Sequence, residues 1–296
     1  MQNNTKTKNI KSLLIIGAQG MLGRQLADTL KQDQWRRAFD SCAIHECDIQ
    51  DVDITDPQSV SRCFDVFSPQ LVINCAAYTN VDACETHQQE AFAVNADGPL
   101  HLAQNCPKHH AKLIHVSTDF VFDGHGDRPY LPDDPTGPIS VYGSSKLAGE
   151  QAIQKTLPDH TIVRTSWLFG KYGKNFVATI CRLADQHDVL EIVNDQTGSP
   201  TCAVDLAQAL LHLALADARG IFHFCNTGHC SWYDFALEIV KIFDLKPEVR
   251  PIISEKLKQR APRPHWSVMD TAKYTHITHQ SIRTWQDALK HYSTHL

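Results

Sequence analysis

Residues 12–23, reading SLLIIGAQGMLG, constrain the fold more than any other stretch of the chain. Four apolar residues, Leu13 to Ile16, run straight into Gly17, and glycines recur at Gly20 and Gly23. Met21, Leu22, Leu26 and Leu30 then keep helical spacing. A short unbroken apolar run suits a buried parallel strand, and the spacing after it suits a helix with one apolar face. A strand, a glycine turn and a helix in that order can hold a dinucleotide. The first glycine permits the tight turn, the second lets backbone approach a pyrophosphate, and the third lets the helix pack on the strand. The helix N-terminus then faces the phosphate charge. A plain tight turn is the competing reading, but the position between strand and helix favours the cofactor.

The same alternation continues. Strands are expected in CAIHECD, QLVINCAA, KLIHVS and HTIVRTSWLFG. Helices are expected in DPQSVSRCFDVF, with Asp56 as N-cap and Pro57 at the first helical position, in ETHQQEAFAVNADGPLHLAQNC as one long element, and in YGSSKLAGEQAIQKT. Alternating strands and helices imply an α/β fold, a Rossmann-type doubly wound parallel sheet. Beyond about residue 170 the rhythm changes: helices in NFVATICRLADQHD, AVDLAQALLHLALAD and SWYDFALEIVKIF, strands in VLEIVND and GIFHFCN, and a Pro-rich tail expected to be irregular. No Pro/Gly linker separates the halves. The expected organisation is a flexible tail over 1–11, a dinucleotide-binding domain over 12–170, and a smaller substrate-binding lobe over 171–296, partly interwoven with it.

A chain of 296 residues suffices for such a pair. A net charge of −5 argues against nucleic acid or a polybasic membrane surface as partner. No run approaches the roughly 18 apolar residues of a membrane helix, and the polar, basic start MQNNTKTKNIKS does not read as a secretion signal. Ten cysteines occur without a CxxC pair, several inside apolar runs, such as Cys75 in LVINCAA. They read as buried, reduced thiols of a cytosolic protein. In HFCNTGHC, His223, Cys225, His229 and Cys230 approach a zinc-ligand pattern. The stretch reads more simply as a strand and turn, and no metal is expected there.

Three further stretches carry chemistry. In CDIQDVDITDP, Asp48 at a strand end is a candidate ribose contact, while Asp53 and Ile54 are placed to lie beside an adenine; for each aspartate a helix cap or solvated turn is the bland alternative. No arginine directly follows that strand to claim a 2′-phosphate, although Arg24 and Arg36 are near in sequence, so NADH and NADPH both stay open. In NCAAYTNVD, small residues Ala76 and Ala77 at a strand end let a cofactor lie against backbone, or are simply small core residues. The third stretch, STDFVFDGHGDRPYLPDDPTGPISVYGSSK, is a long Gly-, Pro- and Asp-rich loop that ends in Tyr142 and Lys146. These two are four apart on one helix face. An ammonium beside a phenol lowers the phenol's pKa from about 10, so this tyrosine is expected to exchange a proton with a carbonyl oxygen near neutral pH. Thr118 or Ser117 could give that oxygen a second hydrogen bond.

Together GxxGxxG, STDFVFDG, YGSSKLAGE, RTSWLFG and DQTGSPT resemble the extended short-chain dehydrogenase/reductases, and more closely the dTDP-4-dehydrorhamnose reductase family, over about residues 12–285. STDFVFDG and DQTGSPT are specific to this branch; YxxxK marks only the superfamily. The resemblance implies NAD(P)H-dependent reduction of the C4 ketone of a dTDP-4-keto-6-deoxy sugar, giving dTDP-L-rhamnose for surface polysaccharide. It implies Tyr142, Lys146 and Thr118 as catalytic residues. Gly20, Met21 and Leu22 fall on the pyrophosphate loop, Asp53 and Ile54 on adenosine contacts, and Ala77, Tyr78, Thr79 and Val116 on further cofactor contacts. Asp119, Trp167 and Arg263 fall on substrate positions, although Trp167 also reads as core.

The chain departs from the family in three places. Phe120 stands where many members have tyrosine. Gln25 stands where some have a glutamate used in a magnesium-linked dimer, which puts a metal-bridged homodimer in question. RPHWSVMD, with bulky His265 and Trp266, replaces an arginine–proline–small–Asn–Ser run, so the sugar or base preference could differ. Two alternatives stay open: a related dTDP-keto-sugar reductase of the dihydrostreptose-synthase type, and a non-catalytic regulatory subunit of the methionine adenosyltransferase type. DQTGSPT together with RTSW favours a reductase over the latter.

Overall fold

The first apolar run becomes strand β1 (Ser12–Ile16), all five residues buried, in a computed structural model that describes residues 10–295. Most of the expected 1–11 tail lies outside the described residues. After β1 come α1 (Met21–Leu30), α2 (Asp33–Ala38), β2 (Ala43–Cys47), α3 (Pro57–Phe67), β3 (Leu71–Asn74), α4 (Val81–Cys84), α5 (Gln88–Phe92), α6 (Gly98–Asn105), β4 (Lys112–Thr118), α7 (Val141–Thr156) and β5 (His160–Thr165). The second half adds β6 (Leu168–Phe169), α8 (Phe176–Ala184), β7 (Val189–Val193), β8 (Thr197–Gly198), β9 (Thr201–Cys202), α9 (Ala203–Leu215), β10 (Gly220–His223), β11 (Cys230–Ser231), α10 (Trp232–Ile242), β12 (Glu248–Ile252), α11 (Ala272–Thr278) and α12 (Trp285–Ser293).

The main sheet has six strands in the order β10-β5-β4-β3-β1-β2, every pair parallel. This is the expected doubly wound arrangement. Its sixth strand, β10, comes from beyond residue 170, and α9 packs against α1 on the same sheet face with Leu26, Leu206 and Leu210 in one core. The opposite face is covered by α3, α6 and α7 through Val60, Phe64, Leu102 and Ile153. A third core joins α8, α10 and α12 through Ile180, Phe235, Ile239, Trp285 and Leu289, beside the parallel pair β7–β12. Both faces of the sheet centre are therefore covered, which is why β1 and β3 read as nearly continuous apolar runs, while the edge strand β2 is largely exposed.

Some local expectations hold and others need correction. Asp56 caps α3 by accepting from the Gln58 N–H at 2.9 Å, with Pro57 next to it. The helix expected from residue 85 starts instead at Gln88, and it passes through a five-residue π turn, Ala93–Asp97, before α6. Pro99 explains the widening: it has no N–H, and its ring crowds the carbonyl four residues back. The tail expected to be irregular contains α11 and α12. Thr284 caps α12, accepting from the Asp287 N–H at 3.1 Å, and Trp285, Leu289 and Tyr292 give it a buried face.

Candidate active site

The glycine turn sits at the C-terminal edge of the sheet, where ligands of open α/β sheets bind. Gly17 has φ +76°, and a Cβ there would lie 2.6 Å from the Ala76 nitrogen. Gly20 is the N-cap of α1 and lines the cavity, whereas Gly23 packs against the turn: a Cβ would be 2.2 Å from the Gly17 carbonyl oxygen. At the end of β2, Asp48 accepts from the Gln19 N–H at 2.7 Å, and the Arg24 guanidinium reaches the Gln19 side chain. Asp53 accepts from both the N–H and the hydroxyl of Thr55.

A cavity of about 930 Å³ runs from this turn across the sheet edge. Met21, Leu22, Asp48, Asp53, Ile54, Ala77 and Thr79 line it, as do Val116, Ser117, Thr118, Asp119, Tyr142, Lys146 and Trp167. Tyr78 is not among its walls. Its N–H and carbonyl are both held by the buried Asn95 amide, at 2.8 and 3.0 Å, which fixes the segment between Ala77 and Thr79. Asn95 also donates to Ser145, so α7 is tied to the same segment.

The long loop brings Thr118 and Tyr142 together. Ser140 caps α7, and the Val141 N–H donates to Glu85 at 2.9 Å. Gly143 allows α7 to press on the turn after β4, since a Cβ would lie 2.2 Å from the Phe120 carbonyl oxygen. The Phe120 and Tyr142 rings meet edge to face at 5.4 Å. The Tyr142 phenol is pushed above its usual range by burial, against a Thr118 hydrogen bond that favours the phenolate. This corrects the expectation that Lys146 depresses the phenol. In the structure the Lys146 amine donates to the Val116 carbonyl at 2.8 Å and lies 3.3 Å from His115 Nε2. Burial brings its own pKa down to about 8, with Glu150 and Cys75 pulling the other way. A largely desolvated amine carries less charge to share with its neighbour.

Asp119 is 2% exposed. One carboxylate oxygen accepts from the Thr118 hydroxyl at 2.9 Å and the other has no partner among the described residues. Burial pushes its pKa up to about 6, opposed by the nearby Ser267 hydroxyl and by the Thr118 hydrogen bond. Trp167 stands on the cavity wall with φ +47° and is also packed on the lobe core, so both readings of it are realised.

Arg263 is placed differently from its expected role. It makes a bidentate ion pair with Asp82, at 2.7 and 2.8 Å, outside the main cavity and on the wall of a neighbouring groove of about 510 Å³ that His265 also lines. Trp266 donates to the Arg128 carbonyl at 2.9 Å and faces the His229 ring. Gln25 is a buried residue of α1. Among the described residues no cluster of three or more His, Cys, Asp or Glu side chains could hold a metal. His223 and Cys225 are buried, and neither His223 ring nitrogen has a hydrogen-bond partner among the described residues.

Sequence reading missed three contributors. Trp232, at the first position of α10, lines the cavity beside Trp167; the only signal was a large aromatic just after a capping serine. His115 meets the Lys146 amine from below the cavity floor, and Asn74, buried on the neighbouring strand, meets His115 in turn; nothing in linear spacing joins them.

Comparison with known proteins follows the same pattern. The family model described as "RmlD substrate binding domain" matches residues 11–296. A dTDP-4-dehydrorhamnose reductase of Streptomyces griseus is 42% identical over 283 residues, covering 93% of this chain and 91% of its own. A dTDP-4-keto-6-deoxy-D-glucose reductase of Streptomyces niveus is 38% identical, covering 93% and 94%. The crystal structure of dTDP-4-dehydrorhamnose reductase from Bacillus anthracis in complex with NADP superposes with a TM-score of 0.91 at 34% identity, covering 97% and 99%.

Proposed function

This chain belongs to the RmlD substrate-binding family, and from that premise we propose that it reduces the C4 ketone of dTDP-4-dehydro-6-deoxy-L-mannose to give dTDP-L-rhamnose, with NAD(P)H as reductant. The observation that carries this reading is one cavity lined both by the glycine turn and by Thr118, Tyr142 and Lys146.

Bound NAD(P)H supplies a hydride. The residues present fit it. The turn at Gly17 and Gly20, with Met21 and Leu22, offers backbone and a ten-residue helix N-terminus to a pyrophosphate. Asp48 suits a ribose, Asp53 and Ile54 an adenosine, and Ala77, Thr79 and Val116 form the floor toward the reacting end, with Tyr78 holding that segment through Asn95. Lys146, one turn of α7 after Tyr142, lines the same cavity and is placed to hold the cofactor.

A ketone that gains hydride leaves negative charge on oxygen, so an acid must be within hydrogen-bond reach. Tyr142 is that acid: burial keeps its proton on until the oxyanion draws it off. Thr118 adds a hydrogen bond to the same oxygen when its hydroxyl turns from Asp119. The free, buried oxygen of Asp119 suits a sugar hydroxyl, and Trp167 suits the apolar face of the ring. Arg263 holds the segment before His265 through Asp82 and acts on the substrate pocket from outside it.

A second reading, reduction of another dTDP-keto sugar on the same site, draws on the Streptomyces niveus relative and on the bulky pair His265 and Trp266. Ten free cysteines support a reducing, cytosolic setting; among the described residues no helix is long and apolar enough to cross a membrane. The test is NAD(P)H consumption with dTDP-4-dehydro-6-deoxy-L-mannose and product analysis by NMR. Formation of dTDP-L-rhamnose supports the first reading, turnover only with another keto sugar supports the second, and coenzyme binding without turnover on any keto sugar removes both.

A further inference from the structure

Where β4 ends, four consecutive residues line the main cavity: Ser117, Thr118, Asp119 and Phe120. The first three carry hydroxyls or a carboxylate, and the fourth is a bare aromatic ring. Its backbone is held from both sides. The Phe120 N–H donates to Thr118 Oγ1 at 3.2 Å, and its carbonyl oxygen lies against Gly143 of α7, where a Cβ would be 2.2 Å away. The ring is half-buried and stands edge to face against the Tyr142 ring, centroids 5.4 Å apart and planes at 76°. Val121 and Phe122, the next two residues, are fully buried and anchor the turn in the core.

The proposed substrate presents two unlike groups on either side of its C4 ketone. C3 bears a hydroxyl, and C5 bears the C6 methyl that makes the sugar 6-deoxy. With the ketone oxygen between Thr118 and Tyr142, each of these groups is attached one carbon from the reacting atom. They therefore meet whatever flanks the two residues. Beside Thr118 stands the Asp119 carboxylate, bonded to its hydroxyl at 2.9 Å and with its other oxygen free of partners among the described residues. That oxygen suits the C3 hydroxyl. Beside Tyr142 stands the Phe120 ring, which gives a methyl an apolar face. A hydroxyl placed there would lose its water and find no donor or acceptor on the ring.

We propose that Phe120 is a specificity-determining residue: its ring takes the C6 methyl of the substrate and so selects 6-deoxy sugars over their 6-hydroxy counterparts. The inference rests on the proposed reduction of a dTDP-4-keto-6-deoxy sugar and adds the residue that reads its deoxy position. An apolar wall rejects an added hydroxyl only moderately, so the expected preference is roughly 10- to 100-fold.

The test compares two ligands that differ by one oxygen, dTDP-L-rhamnose and dTDP-L-mannose. Both are already reduced at C4, so with NADPH present no reaction follows and calorimetry reads affinity alone. Wild type is expected to bind the 6-deoxy ligand roughly 10-fold or more tightly. Phe120→Tyr and Phe120→Gln each put a hydrogen-bonding group into the wall and should narrow that ratio roughly 3-fold or more, the scale of one hydrogen bond. Phe120→Leu keeps the wall apolar and should keep the preference. A ring that only packs on Tyr142 would, when replaced, weaken both ligands alike and leave the ratio where it is. Thermal melts identify a polar variant that fails to fold, and the other then decides. Equal affinities in wild type overturn the inference. So does a preference that the folded polar variants retain, or one that Phe120→Leu loses as fully as they do. Binding of neither ligand removes the reductase reading on which the inference rests, whereas equal binding of both removes the inference alone.

Discussion

The Trp167 indole lies flat on the Trp232 indole, ring centroids 3.5 Å apart and planes 7° from parallel. Trp232 is backed in turn by Phe176 at 4.5 Å. Trp167 holds a left-handed φ of +47°, rare for a bulky residue, and the stack gives that conformation a partner.

Removing either member of the stack should therefore weaken the sugar site. Trp232→Ala is expected to raise KM for the dTDP-sugar roughly 3- to 10-fold, the scale of one aromatic pair. Trp167→Ala should do at least as much, and neither should alter coenzyme affinity greatly. Steady-state kinetics beside a coenzyme fluorescence titration separate the two effects. Equal loss of sugar and coenzyme affinity would show general disordering instead.

The glycines of the turn should not be equivalent. At Gly20 an added Cβ meets only the Gly17 carbonyl oxygen, at 3.3 Å, so Gly20→Asp should fold while putting a negative charge in the pyrophosphate site. At Gly23 the same oxygen would be 2.2 Å away. Gly23→Ala should therefore lower thermal stability as well as coenzyme binding. Undiminished coenzyme affinity in Gly20→Asp would remove the cofactor assignment of this turn.

Arg164 and Glu150 form an ion pair at 2.7 Å with both side chains buried, and Arg164 also donates to the Pro132 carbonyl in the long loop. Glu150→Ala leaves a buried guanidinium uncompensated, which costs about 3–5 kcal/mol. Urea unfolding should show that loss. A change within experimental error would mean that water reaches the guanidinium in the variant.

Asp119 gives a stability signature in pH. Its folded pKa is raised to about 6, above its unfolded value of 3.8. Its contribution is thus fully present below about pH 4 and is lost as pH rises through about 6. Asp119→Asn removes this dependence. The melting temperature of wild type relative to Asp119→Asn should fall between about pH 4 and 6, by an amount equivalent to ~2 kcal/mol. Parallel curves would place a solvating partner on the free carboxylate oxygen.

Much of this was legible because it is local. The strand and glycine turn at Gly17, the Asp56 cap with Pro57, and the one-turn spacing of Tyr142 and Lys146 are each written in consecutive residues. What escaped depends on contacts between distant segments. The acidity of Tyr142 is set by burial, which no spacing reports, and so the expected depression by Lys146 has the wrong sign for the structure seen here. The pairing of Asn74 with His115 exists only through strand register. Arg263 is engaged by Asp82, 181 positions away. Pro99 did carry a signal that was not used: a proline inside a long apolar helix predicts a local widening, and the π turn lies directly before it.

The central claim is that Tyr142 is the proton donor in a reduction of a dTDP-4-keto-6-deoxy sugar. Tyr142→Phe removes the acidic hydroxyl and keeps the ring that packs on Phe120. The decisive measurement is kcat of this variant and of wild type with NADPH and dTDP-4-dehydro-6-deoxy-L-mannose, with coenzyme affinity measured alongside. The expected result is a fall in kcat of roughly 10²-fold or more at unchanged coenzyme affinity. Near-normal turnover by Tyr142→Phe would contradict the claim and assign the proton to Thr118 or to water.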